Sequence, residues 1–369
     1  MKLLNVHTGE IHEFLSDTDV EPYAILSHTW AEDEVTFEDL QSLPKETLAA
    51  KKGFAKIYHC CVQAAADGYG WAWVDTCCID KRSSAELSEA INCMFRWYKN
   101  AAICYVYFAD VQAHATGLGD IHHELACARW FTRGWTLQEL LASREMVLYS
   151  RDWKRIGTKH DLAINLAWIT GIEVKYLRGV VSLATASVSK RMSWAAQRST
   201  SRTEDIAYCL LGIFDINMPL LYGEGKKAFR RLQEEILKAN PADHTLLAWG
   251  RIVSCPPMRW VDDAPQLYGY KYIPWDEAEA SQTLRGLFAE SPKDFQHSAG
   301  LLPLPRAGGR YDSSLISLNR PMTPAVYPTI TGAGVMLELF THALALPRQF
   351  SYLSIPGVWS YSAGWTSSC

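Results

Sequence analysis

Tyr23-Ala24-Ile25-Leu26-Ser27-His28-Thr29-Trp30, residues 23–30, begins as a short apolar run and passes abruptly to polar and aromatic side chains. Three more runs follow at Trp71–Asp75, Ile103–Phe108 and Met146–Tyr149, with segments of helical period between them. Apolar runs of strand length alternating with helices predict strands paired in parallel and helices crossing over them. In the first interval Phe54, Ile57, Cys61, Ala64 and Ala65 recur at spacings of three and four, one apolar helical face, and Gly68-Tyr69-Gly70 stops it. In the second, Ser84 is placed to cap a helix with a buried stripe of Leu87, Ile91, Met94, Phe95 and Tyr98; Glu86 and Glu89 sit near its positive end. A third helix is expected from about Ile121 to Leu141. Such an order belongs to a doubly wound α/β sheet, whose ligands bind near the carboxyl ends of the strands. Ser27 to Trp30 and Asp75 to Asp80 fall at two such ends.

Beyond about residue 185 the pattern turns helical. Ile206, Leu210, Ile213 and Phe214 follow the capping stretch Thr203-Glu204-Asp205, and a second helix fits Lys226 to Lys238 with Phe229, Leu232 and Ile236 inward. From Thr245 onward proline is frequent and the apolar pattern shortens or alternates, as at Val335, Leu337 and Leu339, which predicts a small β-rich unit. The expected organisation is an α/β domain over 1–150, a helical annex over 151–240 and a β-rich region over 241–369, with the tail 352–369 given no fold.

Charge narrows the function classes. With 36 Lys and Arg against 40 Asp and Glu the net charge is -4, so no broad basic field attracts nucleic acid. The ten cysteines lie mostly in apolar runs without C-x-x-C spacing, and read as buried thiols of a reducing compartment rather than zinc ligands. No run reaches membrane-spanning length and the amino end lacks the apolar stretch of a signal peptide. A cytoplasmic location, with no membrane and no metal, is the expectation.

Three blocks carry a resemblance: residues 23–30, then Trp73-Val74-Asp75-Thr76-Cys77-Cys78-Ile79-Asp80-Lys81, then Arg133-Gly134-Trp135-Thr136-Leu137-Gln138-Glu139-Leu140-Leu141. In this order and at these separations the chain resembles the fungal HET (heterokaryon incompatibility) domain family. The likeness extends through Ala85 to Asn92 and through Asp205 to Glu235, which includes Leu220-Leu221-Tyr222-Gly223-Glu224-Gly225. Ala31 stands where the family commonly has Gly, and Ser143 where it commonly has Pro. The family in turn looks like a relative of Toll/interleukin receptor (TIR) domains. Trp135-x-x-x-Glu139 is similar to the TIR helix bearing a Trp and, four residues on, the glutamate of NAD-cleaving members. One turn separates the two, which puts them on one helical face.

The resemblance implies a TIR-like doubly wound sheet and a non-self-recognition cell-death effector that hydrolyses NAD at the nicotinamide–ribose bond when self-associated. NAD or a related nucleotide is then substrate and no separate cofactor is needed; an upstream sensor protein is a further expected partner. Breaking that bond builds positive charge on the ribose while a cationic ring departs neutral, so Glu139 would act as the catalytic carboxylate. Trp30 offers a face to the ring and Arg133 a planar fork to the diphosphate, with Trp135 in support. Bland readings stand beside these. Glu139 is otherwise a solvated carboxylate or a partner of Arg133, and Trp135 a packing residue. Ser27 and His28 are either polar ligands at a strand end or satisfied interior groups. Asp75 contacts a ribose or caps a turn. Asp80, Lys81 and Arg82 read as a solvated loop with an ion pair, and Cys77-Cys78 as buried neighbours on opposite faces of an extended segment. Gly223 to Lys227 lacks Walker spacing and turns the chain into the next helix. The competing class is a non-catalytic signalling module that works by surface contact.

Overall fold

A computed structural model describes residues 1–15, 19–112, 118–247, 249, 260–261, 264–265, 287–301, 329–331 and 334–336. The first part of the chain forms β1 Lys2–Asn5, β2 Ile11–Glu13, β3 Tyr23–His28, α1 Phe37–Ser42, α2 Lys45–Ala50, α3 Phe54–Ala66, β4 Trp71–Trp73, α4 Ser84–Asn100 and β5 Ile103–Tyr107. There follow α5 Leu118–Cys127, α6 Trp135–Ala142, β6 Met146–Tyr149, β7 Arg155–Thr158 and α7 Ala163–Thr170. The remaining helices are α8 Val174–Leu177, α9 Val188–Ala195, α10 Asp205–Tyr208, α11 Leu211–Phe214 and α12 Lys227–Ala239. Two compact units result, one of residues 1–186 and 197–232, the other of 187–196 and 233–369.

In the first unit seven strands stand in the order β2-β1-β4-β3-β5-β6-β7. The four apolar runs supply the parallel centre, with β3 between β4 and β5 and β6 beyond β5. In chain order these four stand second, first, third, fourth, so the winding reverses at β3. A doubly wound sheet opens a crevice at such a reversal, at the strands' carboxyl ends. Every residue of β3 is buried, as its central place requires. The flanking β1–β2 hairpin and β7 are antiparallel additions that the sequence pattern does not announce, since three or four residues are too few to establish a period. The last of them takes the sheet beyond residue 150.

Several elements differ from expectation, each for a local reason. Strand β4 stops at Trp73 because the Val74 carbonyl accepts the N–H groups of Cys77 (3.2 Å) and Cys78 (2.8 Å). Asp75 therefore rides on a turn, and Cys77-Cys78 is not an extended segment, although both thiols are buried. Ser83, not Ser84, caps α4, accepting the Glu86 N–H at 3.2 Å. The buried faces of α3 and α4 are also rotated, to Lys56, Ile57, Cys60 and Ala64 and to Ala90, Ile91, Met94, Trp97 and Tyr98. The expected helix of residues 121–141 is broken into α5, a 3-10 turn at Arg129–Thr132 and α6, because Ala128 and Arg133 are extended. Asp110 holds the Arg129 N–H (2.8 Å) and Ser199 accepts from the Gly134 N–H (2.8 Å). A Cβ at Gly134 would lie 2.5 Å from Thr200 Cγ2 and 3.0 Å from Cys209 Sγ; glycine permits this approach. The helix expected over 206–214 is likewise divided, and Glu204 does not cap it by its side chain. Its carboxylate accepts the N–H groups of Gly223 (2.8 Å) and Gly225 (3.0 Å) instead, where both glycines adopt positive φ ahead of α12.

Within the second unit, α9 is tied to its surroundings through its first turn. The Val188 N–H donates to Asp243 (2.7 Å), the Ser189 N–H to Thr245 (3.1 Å) and the Ser187 hydroxyl to the Leu301 carbonyl (2.7 Å). Gln233 both donates to and accepts from the backbone of Ala289. The described strands here are two isolated antiparallel pairs, β8 Trp260–Val261 with β9 Ala264–Pro265 and β10 Thr329–Thr331 with β11 Gly334–Met336. Val335 falls in the last of these; Leu337, Leu339 and the tail 352–369 lie outside the described residues. Among the described residues no helix is long and apolar enough to cross a membrane.

Candidate functional site at the carboxyl end of the central strand

Side chains alternate along β3, so Ser27 and His28 face opposite sides of the sheet. On the Ser27 side lie α4 and α6. The Ser27 hydroxyl donates to Glu139 Oε2 and accepts the indole N–H of Trp130 at 2.8 Å. The Tyr98 hydroxyl donates to the Leu26 carbonyl at 3.0 Å and also bonds the Glu139 carboxyl. Glu139 is only 5% exposed, so it is neither a solvated carboxylate nor a partner of Arg133. Burial pushes its carboxyl up to about 8, with Asp75 adding to the rise and Ser27, Tyr98 and Arg198 opposing it. At neutral pH this carboxyl is therefore mostly protonated.

On the other face His28 Nε2 lies 3.5 Å from Asp75 Oδ1. Neither ring nitrogen of His28, nor Asp75 Oδ1, has a hydrogen-bond partner. Burial, with the cations of Lys56 and Lys81, lowers the imidazole well below its ordinary value, so the ring is neutral. Burial raises the Asp75 carboxyl, against the pull of Lys81, the Trp30 N–H and Lys56. The Trp30 indole donates to Asp75 Oδ2 at 2.7 Å, leaving the side chain 45% exposed. Above its ring stands the Lys81 ammonium, 3.6 Å from the centroid. Buried Lys56 donates to the Thr29 carbonyl (3.3 Å) and to Glu34, while Arg129 holds the Trp30 carbonyl at 2.8 Å. The loop following β3 is thus tied to α3 and to the 3-10 turn.

Ser27, His28, Trp30, Asp75 and Glu139 therefore gather at one end of the sheet. Arg133 and Trp135 do not join them. Arg133 donates to Ser201 Oγ at 3.1 Å, and the Trp135 indole bonds Asp205, which also accepts from Tyr222 at 2.9 Å. Lys81, expected to be a solvated loop residue, belongs to the cluster; the ion pair of that loop is Asp80 with Arg82 at 2.9 Å. Sequence reasoning also passed over Lys56, Trp130 and Arg198 as members of the site. Lys56 had a signal, since it stands four and eight residues before Cys60 and Ala64 on one helical row. Buried Arg198 donates to the Arg133 carbonyl (2.8 Å) and Thr136 Oγ1 (2.9 Å) beside the first turn of α6. Among the described residues no group of three or more His, Cys, Asp or Glu is arranged to hold a metal ion.

The family model described as Heterokaryon incompatibility protein (HET) matches residues 23–127, from the first residue of β3 through Asp75 and Lys81 to the last residue of α5. The chain carries a HET-family segment. Ser27, His28, Trp30 and Asp75 fall inside the matched HET segment, whereas Trp130 and Glu139 reach the same end of the sheet from beyond it. A second model, Domain of unknown function (DUF8212), matches residues 227–346. The HET-family relative Vegetative incompatibility protein HET-E-1 of Podospora anserina is 50% identical over 238 residues, which take in 62% of this chain and 17% of the relative. The chain thus corresponds to a small part of that much longer protein. No solved structure matches it.

Proposed function

We propose that this chain is an effector of heterokaryon incompatibility and that its α/β domain hydrolyses NAD at the nicotinamide–ribose bond when copies are brought together. The observation that supports this most is the buried Glu139 carboxyl at the carboxyl ends of the parallel strands, held by Ser27 and coupled electrostatically to Asp75. Clustered groups with strongly displaced titration mark functional sites more often than chance. In the proposed reaction the C1′–nitrogen bond breaks and its electron pair leaves with the nicotinamide. A carboxylate near the ribose stabilises the oxocarbenium-like centre. Water then adds to C1′ and loses its proton to the same carboxylate, giving nicotinamide and ADP-ribose. Only the deprotonated form of Glu139 can do this, so the closed, protonated arrangement is a resting state. Assembly that admits solvent to the carboxyl lowers its burial and activates it. An upstream sensor protein that gathers copies would supply the trigger.

The test is nicotinamide release from NAD by the purified chain, free and artificially clustered, against Glu139→Gln, which keeps an acceptor for Ser27. Clustered wild type is expected to release nicotinamide and the variant at least about a hundredfold less. Equal rates remove Glu139 from the reaction.

A second reading has its own support: Glu139 is nearly inaccessible and engaged by Ser27 and Tyr98, as a purely structural carboxyl in a signalling module would be. In that case cell death persists in Glu139→Gln and is lost on charge reversal along the exposed positions of α4.

A further inference from the structure

The face of Trp30 is occupied by the protein itself. Lys81 sets its ammonium 3.6 Å from the ring centroid, and Trp30 is anchored edge-on by its N–H to Asp75 at 2.7 Å. Asp75 and Glu34 both attract that ammonium. Asp75 also keeps one buried oxygen, Oδ1, without a hydrogen-bond partner, and Glu34 keeps Oε2 in the same condition. His28, with neither ring nitrogen engaged and its side chain 1% exposed, stands 3.5 Å from that Asp75 oxygen. An aromatic face flanked by a carboxylate is a receptor for an organic cation, because the ring quadrupole and the anion attract the same charge. Arg82, the neighbouring cation, is directed away into pairs with Asp80 and Glu38, so Lys81 alone of this loop's two cations sits on the ring.

We infer that Trp30 and Asp75 form a subsite for a flat organic cation of the pyridinium class, and that Lys81 is its built-in occupant, which the ligand must displace. This rests on the NAD reading for the identity of the ligand, whose nicotinamide ring carries the positive charge until the bond breaks. Lys81 is a competitor rather than a reactant: the site is filled at rest by a tethered cation of the same sign as its ligand. Moving Lys81 off the ring frees the face and also leaves its ammonium available to the anionic diphosphate that accompanies the ring.

The experiment measures binding of 1-methylnicotinamide, a pyridinium ion without a scissile ribose bond, and of neutral nicotinamide, by calorimetry on the full chain. The proteins are wild type, Lys81→Met, Arg82→Met, Trp30→Leu and the Trp30→Leu/Lys81→Met double variant, each checked for an unaltered melting transition. Lys81→Met is expected to bind the cation about twofold to fivefold more tightly, the range of a surface cation–π contact removed from competition. Arg82→Met should show no gain, neutral nicotinamide no difference, and Trp30→Leu should erase the gain in the double variant. Unchanged or weaker binding by Lys81→Met overturns the inference, as does a gain that survives loss of the Trp30 ring or appears equally in Arg82→Met. Failure of the cleavage reading looks different: no nicotinamide leaves NAD, yet the Lys81→Met gain for the uncleavable cation remains.

Discussion

Ser27 donates its hydroxyl proton to Glu139 across 112 positions of chain while accepting the indole N–H of Trp130 at 2.8 Å. One side chain thereby joins the end of β3 to both the 3-10 turn and α6. Ser27 is fully buried, so its loss takes one hydrogen-bond partner from each of two buried polar groups, the Trp130 indole and the Glu139 carboxyl. Ser27→Ala is expected to lower stability by about 1–3 kcal/mol, read as a shift of the urea midpoint at unchanged slope. An unaltered midpoint would mean that α6 is seated by packing alone.

The protonated state of Glu139 has a pH signature. Its carboxyl titrates at about 8 in the fold against an ordinary 4.5, so between those values the folded chain binds more protons than the unfolded one. Stability from this group is fully present below 4.5 and declines as pH rises towards 8. Glu139→Gln has no such titration. The variant should gain on wild type by a few kcal/mol, on the order of magnitude set by the shift, between pH 5 and pH 8. His28, its imidazole held well below the ordinary value by burial, is common to both proteins and cancels in the difference. Melting curves that stay parallel across the window would sink the assignment.

Gly134 tests the break that separates α6 from the preceding turn. Gly134→Ala places a methyl group 2.5 Å from Thr200 Cγ2, an overlap expected to cost about 1–3 kcal/mol. Thr200→Ser removes that methyl, so the double variant should recover part of the loss in thermal unfolding. Equal losses in single and double variants would place the clash elsewhere, with Cys209 the remaining neighbour at 3.0 Å.

What could be read in advance follows the range of the forces involved. The runs at Tyr23, Trp71, Ile103 and Met146 announce themselves because burial on both faces of a central strand demands unbroken apolar sequence. The break between α5 and α6 does not, because it depends on Ser199 and Thr200 meeting Gly134 from far along the chain. Ser27, His28, Trp30 and Asp75 could be placed near one end of the sheet in advance, because they follow the apolar runs that form its strands. The stacking of Lys81 on Trp30 was not, since it arises from the turn that ends β4 early and swings residues 75–81 over the neighbouring loop. Nor could spacing reveal that Glu139 is buried and Trp135 bonded to Asp205: an i, i+4 pair fixes a shared helical face but not what each side chain meets along it.

The sheet's margins carry a consequence of their own. The parallel core is bordered by β2, three residues with exposed His12 and Glu13, and by β7, which begins with exposed Arg155 and meets β6 through an irregular register. Short, charged or bulged borders are poor templates for an incoming strand. Among the described residues the sheet therefore offers another copy of the domain no ready template for cross-β growth.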